Sequence, residues 1–189
     1  KFTMNNKTIN TEQGHWILAR MGKKVLRPGG KELTLKLVEA LKITSQDAIV
    51  EFAPGMGYTA SFTFNKNPRS YTGIELNEEA AANLKRKLKG ENLRIINTNA
   101  ANTGLEDACA DKVYGEAMLT MQADHRKSEI IKEAYRLLKK GGLYGIHELG
   151  LTPDHLDLKI KDSIQRQLAQ VIKVNARPLT QLEWCVLLE

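Results

Sequence analysis

Residues 50–57 read VEFAPGMG, and this stretch decides the fold. It closes the apolar run 47–53, DAIVEFA, which is typical of a strand buried in a sheet. Gly55 and Gly57 are separated by one residue, which lets the backbone turn tightly and approach a ligand closely. Residues 58–66 fit a short helix whose N-terminus would present free N–H groups to that ligand. The stretch therefore predicts a strand, a ligand-binding turn and a helix in succession.

Strands alternate with helices along the rest of the chain. The predicted strands are 47–53, 70–76, 92–98, 111–119 and 143–149, and the predicted helices are 58–66, 78–90, 124–140 closed by Gly141-Gly142, 153–174 and one beginning at Gln181. This order implies right-handed crossovers and a parallel sheet. We therefore expect an α/β fold with a Rossmann-like, doubly wound, mostly parallel sheet and helices on both faces. Ligands bind such sheets beyond the carboxyl ends of the strands.

Glu75 stands at the end of the second predicted strand, eighteen residues after Gly57. An acid there can accept hydrogen bonds from both ribose hydroxyls of an adenosine. The turn GMGYTA at 55–60 also matches the dinucleotide fingerprint, so an NAD-type cofactor remains an alternative. Glu51 argues against it, because a carboxylate directly before the turn suits an ammonium or sulfonium and repels a pyrophosphate. The long helical sequence before the first strand is also unusual for a dinucleotide-binding domain.

In their order, these motifs resemble the class I S-adenosylmethionine-dependent methyltransferases over roughly residues 25–189. VEFAPGMG is similar to the first motif of that family, YTGIELNEEA to the second, EAYRLLKKGGLYGIHEL to its helix, double-glycine turn and fifth strand, and PLTQLEWCVLLE to the helix before its last two strands. The resemblance implies a Rossmann-like fold, S-adenosylmethionine as the cofactor and methyl transfer as the activity.

The resemblance also implies which residues meet the cofactor. Glu51 and the glycine turn would contact its methionine part, Glu75 its ribose, and the loop after the third strand its adenine. The expected set is Glu51, Ala53, Pro54, Gly55, Met56, Gly57, Glu75, Leu76, Asn99 and Ala100. Ala53 replaces the first glycine of the family, and we expect it and Pro54 to fit because this part of the turn keeps a negative φ.

The methyl group of a sulfonium already has a good leaving group, so the protein mainly aligns donor and acceptor and excludes water. A general base is needed only where the acceptor keeps its proton at neutral pH. Three residues are candidates: Glu116 inside the fourth strand, His147 at the end of the fifth, and His125 after the fourth. Each also fits a structural role, such as a buried hydrogen bond or a helix start. We expect no metal.

The composition is that of an ordinary globular protein, with 42% hydrophobic and 26% charged residues among 189. The sequence contains no run of 18 apolar residues, and KFTMNNKTIN lacks the apolar core of a secretory signal, so we expect no membrane span and a cytoplasmic location. Cys109 and Cys185 lie far apart in the sequence, so we expect two reduced thiols. The net charge of +6 comes from residues spread over helix-like segments, which favours solvated helix faces over a nucleic-acid-binding stripe.

Two regions are expected. Residues 1–30 form an N-terminal helical segment or lid, with a helix at 11–24, and residues 31–189 form the methyltransferase domain. Inside that domain, residues 151–177 form an inserted helical region that roofs a pocket together with residues 1–30. Such a pocket favours a small-molecule acceptor. The alternatives are an RNA methyltransferase, an NAD(P)-dependent oxidoreductase and an inactive cofactor-binding module.

In the family, the last helix leads into an antiparallel pair of strands, and this sequence stops at Glu189 within that helix. We therefore expect a chain truncated at the C-terminus, with the strand at 143–149, LYGIHEL, at an open sheet edge. That strand is apolar and has none of the lysines or prolines that protect natural edges. A homodimer that covers this edge is a possible consequence.

Overall fold

A computed structural model describes residues 29–172 and 175–189 of the chain. Its strands are β1 (Ala48–Phe52), β2 (Ser70–Ile74), β3 (Leu93–Ile96), β4 (Ala110–Glu116), β5 (Leu138–His147), β6 (Gly150–Leu151) and β7 (Leu179–Thr180). Its helices are α1 (Gly30–Ala40), α2 (Tyr58–Phe64), α3 (Glu78–Lys87), α4 (Asp124–Leu137), α5 (Leu158–Ile172) and α6 (Gln181–Leu188). The first five strands form one parallel sheet in the order β3-β2-β1-β4-β5, and β6 pairs with β7.

Helices cover both faces of the five-stranded sheet, which confirms the predicted doubly wound α/β architecture. Helices α1, α2 and α3 pack on one face, over a core that includes Leu41, Ile49, Ala60, Tyr71 and Leu84. Helices α4 and α6 pack on the other, over a core that includes Phe52, Val113, Ile130, Leu137 and Trp184. The strand order reverses between β1 and β4, and such a switch point opens a crevice at the carboxyl ends of the strands.

The ends of helix α3 are stabilised by residues within or directly beside the helix. The side chain of Asn77 accepts a hydrogen bond from the backbone N–H of Ala80 at 2.9 Å and so caps the helix. Glu78 and Glu79 occupy the first turn, and basic residues occupy the last. Both placements interact favourably with the helix dipole.

The long fourth helix ends earlier than predicted, at Leu137 rather than at Lys140. Strand β5 begins at Leu138, pairs there with β4, and resumes regular pairing only from Leu143. Gly141, with φ of +80°, lies in the bulge between these two points. Strand β5 therefore begins to pair with β4 before the chain reaches Gly141 and Gly142. The double glycine lies in an irregularity inside the strand and does not end the helix.

Strand β5 is the outer strand of the sheet within the described part of the chain, where it pairs with β4 alone. It is longer than expected and contains Lys139 and Lys140, so the expectation of an edge without lysines is wrong. The helix expected over 153–174 begins at Leu158, after the short strand β6. The helix predicted at 11–24 lies outside the described residues. Among the helices that are described, none is long and apolar enough to cross a bilayer.

The turn after β1 begins with an alanine in the left-handed region, because Ala53 has φ of +52°. The expectation of a negative φ there is wrong. The N–H of Ala53 still donates to the carbonyl of Ile74 at 2.8 Å, so the backbone changes direction at this residue. Such a conformation costs an alanine about 1–2 kcal/mol.

Gly55 and Gly57 provide a matched test of this turn. Both have positive φ, +55° and +73°, so an alanine at either pays a similar conformational cost. A Cβ on Gly57 would also lie 2.8 Å from Leu84 of α3, whereas one on Gly55 would meet only a backbone oxygen at 3.9 Å. We expect Gly57→Ala to lower the free energy of unfolding by about 1–3 kcal/mol more than Gly55→Ala in urea titrations. Equal losses of unfolding free energy in the two variants would show that α3 can shift at this contact without a cost in stability.

Candidate functional site

Glu75 lies directly after β2 and joins two turns at the carboxyl edge of the sheet. One carboxylate oxygen accepts the backbone N–H of Gly55 at 3.0 Å, and the other accepts that of Asn77 at 2.9 Å. The residue is 7% exposed. Burial raises the pKa of its carboxyl group, and the backbone N–H groups of Asn77, Gly55 and Leu76 partly oppose that rise. The carboxylate oxygens keep acceptor capacity for a ligand.

The loop after β3 lies beside Glu75. Asn97 donates from its side-chain amide to the carbonyls of Glu75 and Leu76 at 2.8 and 2.9 Å. The side-chain oxygen of Asn99 accepts the N–H of Ala101 at 2.9 Å, which shapes the loop from within. The ends of β2 and β3 are therefore joined by side-chain bonds as well as by the strand ladder.

A cavity of about 740 Å³ opens at the carboxyl ends of β1 to β4. Six of the ten residues expected at a cofactor line it: Ala53, Gly55, Glu75, Leu76, Asn99 and Ala100. The volume lies in the range typical of small-molecule sites. The far wall includes Met118 and Met121 from the loop after β4.

Sequence reasoning missed part of the cavity lining. Arg126 and Ile130 reach it from α4, and Asn175 reaches it from the segment after α5. Arg126 and Ile130 are four residues apart on the helix that follows β4 and therefore lie on one face of it. This spacing could have predicted that they line the cavity together. Asn175 has no local signal, because the path of the chain after α5 brings it there.

The other four expected residues lie around the turn rather than in the lining of this cavity. Pro54 is buried, and Gly57 is the left-handed residue before α2. Met56 is exposed, and its carbonyl accepts a hydrogen bond from Lys87 at 2.7 Å. Glu51 points to the face of the sheet that α1 to α3 cover.

Glu51 belongs to a buried polar cluster on that face. One of its carboxylate oxygens accepts the hydroxyls of Tyr71 and Tyr114 at 2.5 and 2.6 Å. The hydroxyls of Tyr114 and Thr63 are 2.7 Å apart. Burial, reinforced by the Glu51 charge, holds the pKa of both tyrosines well above the usual value, so they stay protonated donors.

Glu116 and His147 form a second cluster on the same face, at the paired ends of β4 and β5. Nδ1 of His147 lies 2.8 Å from one carboxylate oxygen of Glu116, with the two side chains 10% and 5% exposed. Thr34 of α1 donates to the same oxygen at 2.9 Å, and Thr59 of α2 donates to the other at 2.5 Å. Two of the three candidate catalytic residues are therefore in direct contact.

Glu148 holds the loop after β4 from the opposite side. Its carboxylate accepts the backbone N–H groups of Met118, Leu119 and Thr120 at 2.9–3.0 Å and the Thr120 hydroxyl at 2.7 Å. Burial raises the pKa of this carboxyl group, and these donors oppose the rise. The loop that carries Met118 into the cavity is thus fixed by a single side chain from the end of β5.

His125, the third candidate, lies in a different place. It is the second residue of α4 and borders a groove of about 630 Å³ with Leu182, Val186 and Leu187 of α6. None of the residues that line this groove lines the cavity at Glu75. The structure therefore separates His125 from the other two candidates.

Comparison with known proteins assigns the family. The model of the methyltransferase domain family matches residues 50–146, from β1 to the end of β5. An uncharacterized protein of Haemophilus influenzae is 33% identical over 178 residues, which cover 92% of this chain and 68% of that protein. The chain belongs to the methyltransferase domain family.

Two further proteins are similar over smaller shares of their own length. Ribosomal RNA small subunit methyltransferase A of Hydrogenobaculum is 25% identical over 118 residues, which cover 59% of this chain and 46% of that protein. Phosphoethanolamine N-methyltransferase 2 of Haemonchus contortus, crystallised with S-adenosyl-L-methionine, superposes with a TM-score of 0.72 at 15% identity, over 97% of this chain and 41% of that one. This chain spans less than half the length of both, and the second likeness shows the fold alone.

Glu133 of α4 anchors the loop after β3, and its carboxyl group should make the stability of the protein depend on pH. It accepts the N–H and hydroxyl of Thr103 at 2.8 and 2.5 Å, and Arg136 donates to it. The Arg136 guanidinium, together with Thr103, lowers the pKa of Glu133 from 4.5 to about 2. A depressed pKa contributes stability that is present above 4.5 and lost as pH falls toward about 2.

We therefore expect Glu133→Gln to be less stable than wild type at neutral pH and to lose less stability between pH 4.5 and 2. Unfolding free energies at several pH values measure both effects. Glu129→Gln, on the same helix, controls for the change in net charge. If the free energy of unfolding of Glu133→Gln fell with pH as steeply as that of the wild type, the lowered pKa assigned to Glu133 would be contradicted.

Proposed function

We propose that this protein binds S-adenosylmethionine in the cavity at Glu75 and transfers its methyl group to a small-molecule acceptor. One observation carries the proposal: the Glu75 carboxylate faces the cavity while two backbone N–H groups hold it in place. A carboxylate fixed in this way can accept both hydroxyls of a ribose. Membership of the methyltransferase domain family favours methyl transfer over the hydride transfer of an oxidoreductase and over an inactive binding module.

The residues of the cavity fit an adenosine. Leu76 is 66% exposed directly after Glu75, so it offers an apolar surface to a base. Ala100 and Ile130 are apolar neighbours, and Asn99 and Thr98 are polar ones. The glycine turn leaves the space beside Gly55 open, since a Cβ there would meet nothing closer than 3.9 Å. The methionine part of the cofactor would lie toward this turn, which begins two residues after Glu51.

When bound, the cofactor supplies a methyl group on a sulfonium, which is already an activated leaving group. The chain then has to align the acceptor with the methyl carbon and keep water out. The described residues of the segment 151–177 are suited to part of this task. Arg177 donates its N–H to the carbonyl of Thr120 at 2.7 Å, so that segment is bound to the loop that lines the cavity. A site covered by this segment would suit a small acceptor.

An RNA acceptor is the second candidate. The net charge of +6 and the 25% identity to a ribosomal RNA methyltransferase favour it. Binding of RNA through phosphates weakens steeply as salt rises. A salt-dependent affinity for RNA would favour this acceptor, and a salt-insensitive, weak affinity would favour a small molecule.

Calorimetric titration with S-adenosylmethionine tests the proposal and should give one site per chain. Glu75→Ala should weaken binding roughly tenfold to a few hundredfold, because hydrogen bonds to a charged group contribute about 1.5–3 kcal/mol each. Glu79→Ala is the matched control, since it removes an exposed carboxylate from the adjacent helix turn.

Circular dichroism has to show that both variants remain folded. Equal affinities in Glu75→Ala and wild type would remove Glu75 from the binding site. Binding of NAD without binding of S-adenosylmethionine would refute the proposed function as a whole.

A further inference from the structure

The Glu116–His147 pair has the geometry of a carboxylate that orients an imidazole. Nδ1 of His147 faces Glu116 at 2.8 Å, and two threonine hydroxyls donate to the same carboxylate. Each oxygen of this carboxylate accepts a threonine hydroxyl, so Glu116 acts as a hydrogen-bond acceptor toward Nδ1 as well. Nδ1 therefore carries the hydrogen, and in the neutral imidazole the lone pair lies on Nε2.

Nε2 is the unused end of this pair. Within residues 29–172 and 175–189, the only hydrogen bond of the His147 side chain is the one that Nδ1 makes to Glu116. The His147 side chain is 10% exposed, so the ring is largely buried where Glu116 holds it. A histidine fixed through Nδ1, with a basic Nε2 left over, is the arrangement that enzymes use to accept a proton.

The pair borders the glycine turn. Thr59, which donates to Glu116, is two residues beyond Gly57 in the first turn of α2. Met118, two residues beyond Glu116, lines the cavity at Glu75. The N–H of Ala117 donates to the carbonyl of His147 at 2.7 Å, so the ends of β4 and β5 are joined here. The pair and the ribose-binding carboxylate therefore lie at the same edge of the sheet, on either side of the β1 turn.

We infer that His147 accepts the proton of the methyl acceptor, with Glu116 as the residue that positions it; this rests on the proposed function. The acceptor atom gives up its proton and uses the lone pair that this frees to form a bond to the methyl carbon. The carbon–sulfur bond breaks, and its electrons go to sulfur, which changes from a cationic sulfonium to a neutral thioether. The proton of the acceptor moves to Nε2, and Glu116 stabilises the resulting imidazolium.

A proton-accepting His147 restricts the class of methyl acceptor. A nucleophile that is already deprotonated at neutral pH, such as a carboxylate, needs no proton acceptor. A hydroxyl or an ammonium keeps its proton and needs one. The structure therefore assigns the acceptor to compounds that present a hydroxyl or a protonated amine to His147.

Nitrogen-15 NMR of a histidine-labelled chain tests this without knowledge of the acceptor. The sequence has four histidines, His15, His125, His147 and His155, which single His→Asn variants assign. The His147 signals should show hydrogen on Nδ1 only, and saturating S-adenosylmethionine should shift the Nε2 signal. His125, which borders the separate groove, is the internal control and should not shift.

Glu116→Gln separates positioning from simple packing. A glutamine of nearly the same shape preserves the fold but does not enforce one tautomer, so both tautomers of His147 should appear. A purely structural Glu116 would leave the tautomer unchanged, which would overturn its assigned role. His147 signals that stay in place while calorimetry shows S-adenosylmethionine bound would overturn the inference alone. Absence of S-adenosylmethionine binding would refute the proposed function, and the inference with it.

Discussion

The hydrogen bonds from Gly55 and Asn77 to the carboxylate of Glu75 are the interaction on which the site depends. They join the turn after β1 to the start of α3 across the carboxyl edge of the sheet. A buried carboxylate without such donors would be costly, so the two turns and the acid stabilise one another. The consequence is a charge held at a fixed place in the wall of a cavity.

The end of β4 divides the site into two halves. Its backbone continues into a loop held by Glu148, which brings Met118 to the cavity at Glu75. The side chain of Glu116 points to the opposite face, where it meets His147. In our proposals, one face of the β1 turn holds the nucleoside and the other accepts the proton of the methyl acceptor. Alternation of side chains along neighbouring strands produces this separation.

Signals that act within a few residues predicted much of this structure. The apolar runs predicted the five parallel strands, and the asparagine and two glutamates at 77–79 are a local signal for the start of α3. The sequence could not predict what depends on partners from distant elements. Ala53 takes a positive φ while its N–H donates to Ile74 of β2, and helix α4 ends at Leu137, where β5 begins to pair with β4. The contact between Glu116 and His147 likewise arises only when β4 and β5 align in register.

Hydrogen–deuterium exchange with and without S-adenosylmethionine tests the central claim, that the ligand lies at the carboxyl edge around Glu75. We expect slower exchange in the turn 53–58, in residues 75–78 and in the loop 98–101, because these backbone segments surround the cavity. The bulge of β5 at 139–142, at the opposite end of the sheet, should exchange at an unchanged rate. Protection confined to the groove between α4 and α6, with none around Glu75, would contradict the account.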